Sequence, residues 1–519
     1  MAQPLTPAAA AALKAPVEET QFTAEFGFVP PGAREGLILT SSLFGQLGNR
    51  LDQLNNRLYS MGAPWMSGER NRNLLNGQMR FLDDSQVQQT GDWSTVQSDG
   101  NGDFMTPPYI HMTLDQAYDL VGAQIIFDNL SEEWATAIKV GYYNNAGTLI
   151  QEQIFTNDRA SMSINWAYNA VRHIRFTILS WSLPRRFAKI CQVIPGQIRY
   201  FDRNSFSFVL RESVAPFKEA ALPEYSITFA NENQAYNIIN PEGVVALLRG
   251  KMEIPAKIGV VTPAGIDYIS VGDFPLHTWP DNAQYAETTF FCRPDIVFGG
   301  QPYTSASSGG ATYTIAQLAA AISTQAGLRF PVVVDLALQA VQAWSNNQIK
   351  SSLDKALSEL AVAAGGYLKY ERDGSYTIKP VVFGATTRTL YSRDIWGEPN
   401  ITQMPEIVGI KLRSINLASN VTELLVPPTA AGGAIEDVVS DFMRVIPGFN
   451  HVTDNAFAYF SHRLKYEISY RGDPSIEAGD VIEVETMYGL RRVFVTHHEI
   501  TYNSVDFLQG RLEGIGVDL

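Results

Sequence analysis

Between residues 78 and 195, apolar side chains alternate with polar ones in short runs separated by Gly, Asn and Asp. That is the period of strands that bury one face. The runs 124–127, 135–143, 148–155, 162–166, 171–179 and 187–194 predict a β-sandwich or jelly roll, since many short strands need a second layer over their apolar faces. A second β-rich block follows from 200 to about 300, with strands expected at 225–229, 254–261 and 268–274 and a short helical run at 243–248. The Gly/Ser-rich stretch 301–310 reads as a linker or long loop at a domain boundary.

Helical spacing occurs in two places. Leu43, Leu47, Leu51, Leu54 and Leu58 are separated by four, four, three and four positions, which sets all five on one helical face with Ser41 or Ser42 as the N-cap. Fewer than three heptads are present, which favours a helix docked on its own domain, with a self-associating coiled coil as the alternative. From 311 to 382 the spacing returns. Thr314 is expected to cap a helix that buries Ile315, Leu318, Ala319 and Ile322 and stops at Gly327. A second helix carries Leu353, Leu357, Leu360 and Ala364 and stops at Gly365-Gly366. Asp373-Gly374, between strands at 367–370 and 376–379, supplies the positive φ of a tight hairpin turn. The remainder returns to strands at 407–415, 464–470, 481–485, 492–498 and 507–512, with turns at Gly472-Asp473-Pro474 and Gly479-Asp480. Residues 1–35, with Pro4, Pro7, Pro16, Pro30 and Pro31 and little periodicity, read as an extended arm that lies on a neighbour.

Composition narrows the class. A chain of 519 residues corresponds to roughly three or four domains. With 45% apolar and 18% charged residues it has enough to bury several cores, which excludes wholesale disorder. The net charge of −14 argues against a general binder of nucleic acid or anionic membrane. No run approaches the length of a membrane span. The segment 1–16 lacks the positive start and apolar centre of a secretory signal, so synthesis in a cytoplasm is expected and the sequons at Asn129, Asn400 and Asn420 carry no weight. Cys191 and Cys292 read as small buried hydrophobes.

Candidate chemistry is sparse. His497, His498 and Glu499 are the densest group of ligand types, but on a strand His497 and Glu499 share one face and His498 takes the other. Ordinary strand residues is the plain reading. Asp99, Asn101 and Asp103 alternate as in the first half of a calcium loop; Phe104 stands where the turn glycine is needed and Ile110 where the closing Glu is needed, which excludes an EF-hand and leaves a looser calcium site or a plain loop. Glu132-Glu133 offers adjacent carboxylates, more commonly solvated surface than a hydrolytic pair. Trp93, Trp134 and Tyr168 either stack on a sugar ring or pack in the core. There is no Gly-x-Ser-x-Gly elbow, phosphate-cradling loop or dinucleotide fingerprint. No catalytic, cofactor-binding or metal-binding residue is assigned, and no enzyme activity or cofactor is expected.

Leu222-Pro223-Glu224-Tyr225-Ser226-Ile227-Thr228-Phe229-Ala230-Asn231-Glu232-Asn233, continuing through Tyr236, Asn237, Asn240, Pro241 and Gly243, resembles the first barrel of phage tail baseplate hub proteins. So do Gly250, Ile258-Gly259-Val260 and Ile269-Ser270-Val271-Gly272-Asp273-Phe274-Pro275-Leu276. Ala363-Ala364-Gly365-Gly366-Tyr367 with the Asp373-Gly374 hairpin is similar to the middle of those proteins. Gly472-Asp473-Pro474, Glu477-Ala478-Gly479-Asp480-Val481-Ile482, Ile500-Thr501-Tyr502 and Gly510-Arg511-Leu512-Glu513-Gly514 resemble their closing tube-like barrel. Trp93-Ser94 with Gly100, Gly102, Phe104 and Pro107, then Ile125-Ile126-Phe127 and Val140-Gly141-Tyr142-Tyr143, is similar to a discoidin or galactose-binding-like module inserted in such hubs.

The resemblance implies a mainly β, multidomain chain. Its expected parts are an arm (1–35), an amphipathic helix and linker (36–77), a jelly-roll module (78–197), a first hub barrel (198–300), a small α/β domain (301–385) and a C-terminal barrel region (386–519). It further implies a homotrimeric ring that joins the sixfold tail tube to the threefold tip, within the tail baseplate of a virion. Expected partners are the distal tail or tail tube protein, the tape measure protein and tail fibre or receptor-binding proteins. DNA would pass through without specific binding, and no stable membrane insertion is expected. The alternative is a modular glycan-binding or carbohydrate-active protein in which the sandwich is the sugar module.

Overall fold

The computed structural model describes residues 8, 11–12, 20–28, 33, 37–42, 92–127, 133–164, 166–201, 206–230, 253–262, 265–279, 281–282, 287–299, 301–305, 310–345, 349, 351–415, 421–430, 432–443, 450–503 and 507–517. The leucine stripe 43–58, the run 243–248 and most of the segment 1–35 lie outside them. Two compact units are present, one of Phe26–Arg199 with Leu247–Glu253, the other of Met1–Glu25, Tyr200–Ala246 and Ile254–Leu519.

The first unit is a sandwich of antiparallel sheets. One sheet has five strands in the order Ile38–Ser42, Tyr109–Leu120, Tyr168–Trp181, Ala135–Tyr143 and Leu149–Thr156. The other has four, Asp92–Gln97, Phe187–Ile194, Ala123–Phe127 and Ser161–Ile164. Ile110, Met112, Val140, Ile174 and Phe176 of the first share one core with Ile125, Phe127 and Ile190 of the second. Each such side chain, fully buried, contributes about 1.5–3 kcal/mol. All six predicted strands are present. Tyr109–Leu120 is an additional strand, hidden in the sequence because its alternation of Ile110, Met112 and Leu114 breaks where pairing with Tyr168–Trp181 slips between Thr113 and Tyr118. Ser41 and Ser42, expected to start a helix, instead close a strand opposite Ile110 and Tyr109.

The second unit is built on one long sheet. Its path runs through Glu253–Thr262, Gly265–Thr278, Glu287–Cys292, Glu224–Ala230, Phe206–Ser213, Gly489–Asn503, Phe507–Gly516, Leu464–Tyr470 and Asn400–Gln403. Among the described residues no barrel closes. The segments expected as two separate barrels share this sheet because Phe206–Ser213 pairs directly with Gly489–Asn503, Phe208 opposite Tyr502. The fifteen-residue strand serves two sets of partners, with Val481 opposite Phe494 at one end and Phe208 opposite Tyr502 at the other. A register slip between Val495 and His497 marks the bend. The arm also departs from expectation: Thr20–Phe28 is a strand, and Thr20 to Ala24 pair with Val260 to Ala256 of the same chain.

The α/β part follows the sequence closely. Thr314 and Gln317 form a reciprocal capping box, Ile315, Leu318, Ala319 and Ile322 are buried, and Gly327 ends the helix Ile315–Ala326 at φ 61°. The helix Leu353–Ala363 is followed by Gly365 at φ 77°. Strands Gly366–Tyr370 and Tyr376–Pro380 form the hairpin, and of the Asp373-Gly374 pair only Gly374, at φ 85°, takes positive φ. A three-stranded sheet of Ile407–Ile415, Val421–Val426 and Ala434–Val439 adds Ile410, Leu412 and Val438 to the same core. Residues 301–305 are packed rather than loose: Tyr303 is buried, its N–H donates to the Ser351 carbonyl (2.9 Å) and its hydroxyl bonds that of Ser345 (2.8 Å).

Candidate functional site

Several of the turns noted in the sequence, at Asp273, Gly472-Asp473-Pro474 and Glu477 to Asp480, border one buried ionic junction. The hairpin loop 371–375 inserts Arg372, which is fully buried. Its Nε and one terminal nitrogen donate to the two carboxylate oxygens of Glu212, both at 2.7 Å, and the guanidinium also donates to the carbonyls of Ile476 (2.7 Å) and Pro474. Fork-to-fork geometry of this kind is what lets a buried charge pair offset its loss of water. Burial works against the Glu212 carboxylate, yet Arg372 outweighs it and holds the pKa down to about 2. Opposite Glu212 in the sheet stands His498, whose Nε2 bonds the Tyr470 hydroxyl at 2.7 Å and whose Nδ1 lies 3.5 Å from Glu212. The Asp473 N–H in turn donates to the Tyr470 hydroxyl (3.3 Å).

A second charged group flanks the first. Buried Lys369 donates to Glu477 and lies 3.1 Å from Glu371, which Lys379 also meets at 2.5 Å. Burial opposes the charge on Lys369, but Glu477 and Glu371 outweigh it and raise its pKa. Burial likewise opposes the Glu371 carboxylate, and Lys369 and Lys379 more than offset it, so its pKa falls. Asp480, pushed up by burial, accepts the Glu477 N–H at 3.1 Å. Backbone bonds complete the junction: the Asp273 N–H donates to the Arg372 carbonyl (2.8 Å) and the Gly479 N–H to the Val495 carbonyl (2.7 Å). Gly479 sits at φ 92°, a conformation that favours glycine.

The charged side chains largely satisfy one another: each lysine and arginine meets a carboxylate and each carboxylate a donor, while Nδ1 of His498 has no hydrogen-bond partner among the described residues, and the junction couples the strands it joins. Sequence reasoning locates the turns but not Glu212, Lys369 or Arg372. The signal available is the charged alternation Lys369-Glu371 at the end of the first strand of the hairpin, which the other charged residues there and the turn residues overshadow.

Apart from His498, the residues singled out by ligand type scatter when placed in the fold. His497 bonds the Ser213 hydroxyl at 2.8 Å and Glu499 pairs with Arg211 at 3.0 Å, on the face opposite His498. Asp99 accepts the N–H groups of Asn101 (2.7 Å) and Asp103 (2.9 Å), which lowers its pKa and makes it a loop cap. Among the described residues no three His, Cys, Asp or Glu side chains are grouped to hold a metal. Glu133 overturns the solvated-surface reading: it is buried, with Lys189 at 2.8 Å, the Trp181 ring nitrogen at 3.1 Å and Arg186 at 3.4 Å. Glu132 lies outside the described residues. Trp93 is buried against Phe187, and Trp134 and Tyr168 pack partly buried against the sandwich core, so none is an open sugar platform. Cys292 is buried; Cys191 is only half-buried. Asn400 is exposed, and Asn129 and Asn420 lie outside the described residues.

The solved structures to which the chain is similar include several tail proteins. The tail protein from Neisseria meningitidis MC58 matches at 13% identity over 61% of this chain and 93% of that one, with a TM-score of 0.37. The 43 kDa tail protein of prophage MuSo2 from Shewanella oneidensis matches at 10% identity over 61% and 95%, TM-score 0.40. Prophage tail protein gp18 from Listeria monocytogenes EGD-e matches at 11% identity over 73% and 94%, TM-score 0.39. No family model matches the chain. No curated protein matches it either. No helix among the described residues is long and apolar enough to cross a membrane.

Proposed function

We propose that the chain is a structural hub of a phage tail baseplate, three copies of which form a ring between tail tube and tail tip. The observation that carries this reading is the convergence of the resemblance-bearing turns, at Asp273, Asp373-Gly374, Gly472-Asp473-Pro474 and Glu477 to Asp480, on one buried ionic junction. Residues that serve a reaction would leave a carboxylate or a base open to substrate; these are spent on holding strands together. An edge of the long sheet that no strand covers among the described residues supports assembly. Asn400–Gln403 ends the sheet with all four residues exposed, beside Trp396 and Leu464. Such an edge invites pairing unless another chain covers it.

In this reading the chain resides in the virion tail, contacts tail tube or distal tail, tape measure and fibre proteins, and encloses a path for DNA. A net charge of −14 suits a wall that does not hold a phosphate backbone. Quantitative mass spectrometry of virions carrying the chain tests the proposal. Three copies per tail are expected; six or more, or none in purified tails, would overturn it. Duplex DNA should not bind the purified chain at moderate salt.

A further inference from the structure

The outward face of the five-stranded sheet holds an arginine and two histidines that the ionic junction does not explain. Across one row stand Thr40, His111, Arg175, Gly141 and Glu152, each opposite the next. The adjoining row is Ile38, Thr113, His173, Tyr143 and Leu149. These positions alternate with Ile110, Met112, Ile174 and Phe176, which fill the core, so the two rows face away from it. The His111 and His173 rings stack at 5.3 Å, with Tyr143 5.9 Å from His111. Opposite Arg175, the Tyr143 ring and Leu149 cover Gly141, so the Tyr143 hydroxyl borders the same patch.

We propose that His111, His173 and Arg175 form a binding site for an oxyanion, a phosphate or carboxylate carried on a larger molecule. Arg175 lies flat on the Tyr109 ring, 3.7 Å from its centroid, which fixes the plane of the guanidinium. Its Nε is buried and, among the described residues, has no hydrogen-bond partner, and no carboxylate there pairs with the group. A donor in this state costs free energy until an acceptor arrives. The acids on the neighbouring strands are committed: Glu152 to Lys139 (3.3 Å), Asp115 to the Tyr118 hydroxyl (2.9 Å) and Asp119 to the Ala170 N–H (2.9 Å). Thr113 bonds Nδ1 of His173 at 3.0 Å, orienting that ring.

The charge balance supports the same assignment. Burial, then His173 and Arg175, push His111 below its ordinary pKa, and burial and Arg172 do the same to His173. An anion between them reverses the repulsion, so binding takes up protons and strengthens as pH falls. The remaining groups facing the pair are Tyr109, Tyr143 and the Lys139–Glu152 ion pair, whose carboxylate is matched by its lysine.

Isothermal titration of the full chain with inorganic phosphate, an oligogalacturonate and neutral dextran, each at pH 5.5 and 7.5, tests the site. One or both anions should bind, about tenfold tighter at the lower pH, and dextran should not. Phosphate itself loses charge over that range, so a rise cannot come from the probe. The tighter anion names the source, phosphate or uronate. Arg175→Gln should weaken binding about tenfold, the loss of a charge-assisted hydrogen bond. The double variant His111→Gln/His173→Gln should keep a native circular dichroism spectrum and lose the pH dependence. No anion binding at pH 5.5, undiminished binding in the variants, or equal binding of dextran would overturn the proposal.

Discussion

Both units bury a carboxylate with its cations, and they use it differently. In the sandwich, Glu133 meets Lys189, 56 positions away, inside a core that Ile138, Ile174, Phe176 and their neighbours already close. In the larger unit, Glu212 and Arg372 are 160 positions apart, and the pair joins a hairpin of the α/β part to the middle of the long sheet, where Phe206–Ser213 meets Gly489–Asn503. The first ion group is fitted into a packed layer; the second does the joining. Where segments distant in sequence must meet, directional ion pairs fix their register in a way that non-directional apolar contact does not.

The comparison can be broken most severely at Arg372. Arg372→Ala strands a buried carboxylate and should cost about 3–5 kcal/mol. Hydrogen exchange should show amides of 206–213 and 497–502 losing protection while those of 135–143 and 171–178 keep theirs; uniform loss would erase the distinction. Lys189→Met should cost less, about 2 kcal/mol in chemical denaturation, because Arg186 and the Trp181 ring nitrogen still face Glu133.

A pH experiment sharpens the same contrast. Burial, and then Asp441, push Glu359 up to about 7, while Arg372 holds Glu212 down to about 2. For Glu359 the folded pKa exceeds the unfolded one, so stability should fall as pH rises from about 4.5 through 7. For Glu212 the folded pKa is the lower, so its contribution is present above the unfolded pKa and is lost as pH falls towards 2. Glu359→Gln should flatten the neutral limb and leave the acid limb intact, as read by thermal melts across pH. The smallest effect expected is for Thr314→Ala, about 1 kcal/mol from the lost cap, measured the same way.

Local features are legible in the sequence, and long-range ones are not. The helix at Thr314 to Gly327 can be read to the residue because cap, apolar face and terminating glycine all lie within fourteen positions. Strands 135–143 and 187–194 are also legible, since each is a short apolar-rich run of strand length. Thr20–Phe28 escapes such reading because flanking prolines suggest an arm, and its pairing with 256–260 depends on a partner more than two hundred residues away. The single long sheet is hidden for the same reason. Nothing local in Phe206–Ser213 says that it pairs with Gly489–Asn503 instead of closing a barrel of its own. Arg372 sits beside Asp373-Gly374 and so resembles turn surface in the sequence, whereas its side chain turns inward to Glu212.

The most direct test of the junction is a double-mutant cycle on Arg372 and Glu212 in denaturant unfolding, comparing Arg372→Met, Glu212→Leu and the double variant. Each single change should be severely destabilising, and the double variant should recover at least about 2 kcal/mol relative to their sum, because neither charge is then left alone. Strictly additive losses would contradict the account, since Arg372 and Glu212 would then not be acting on each other across the strands they join.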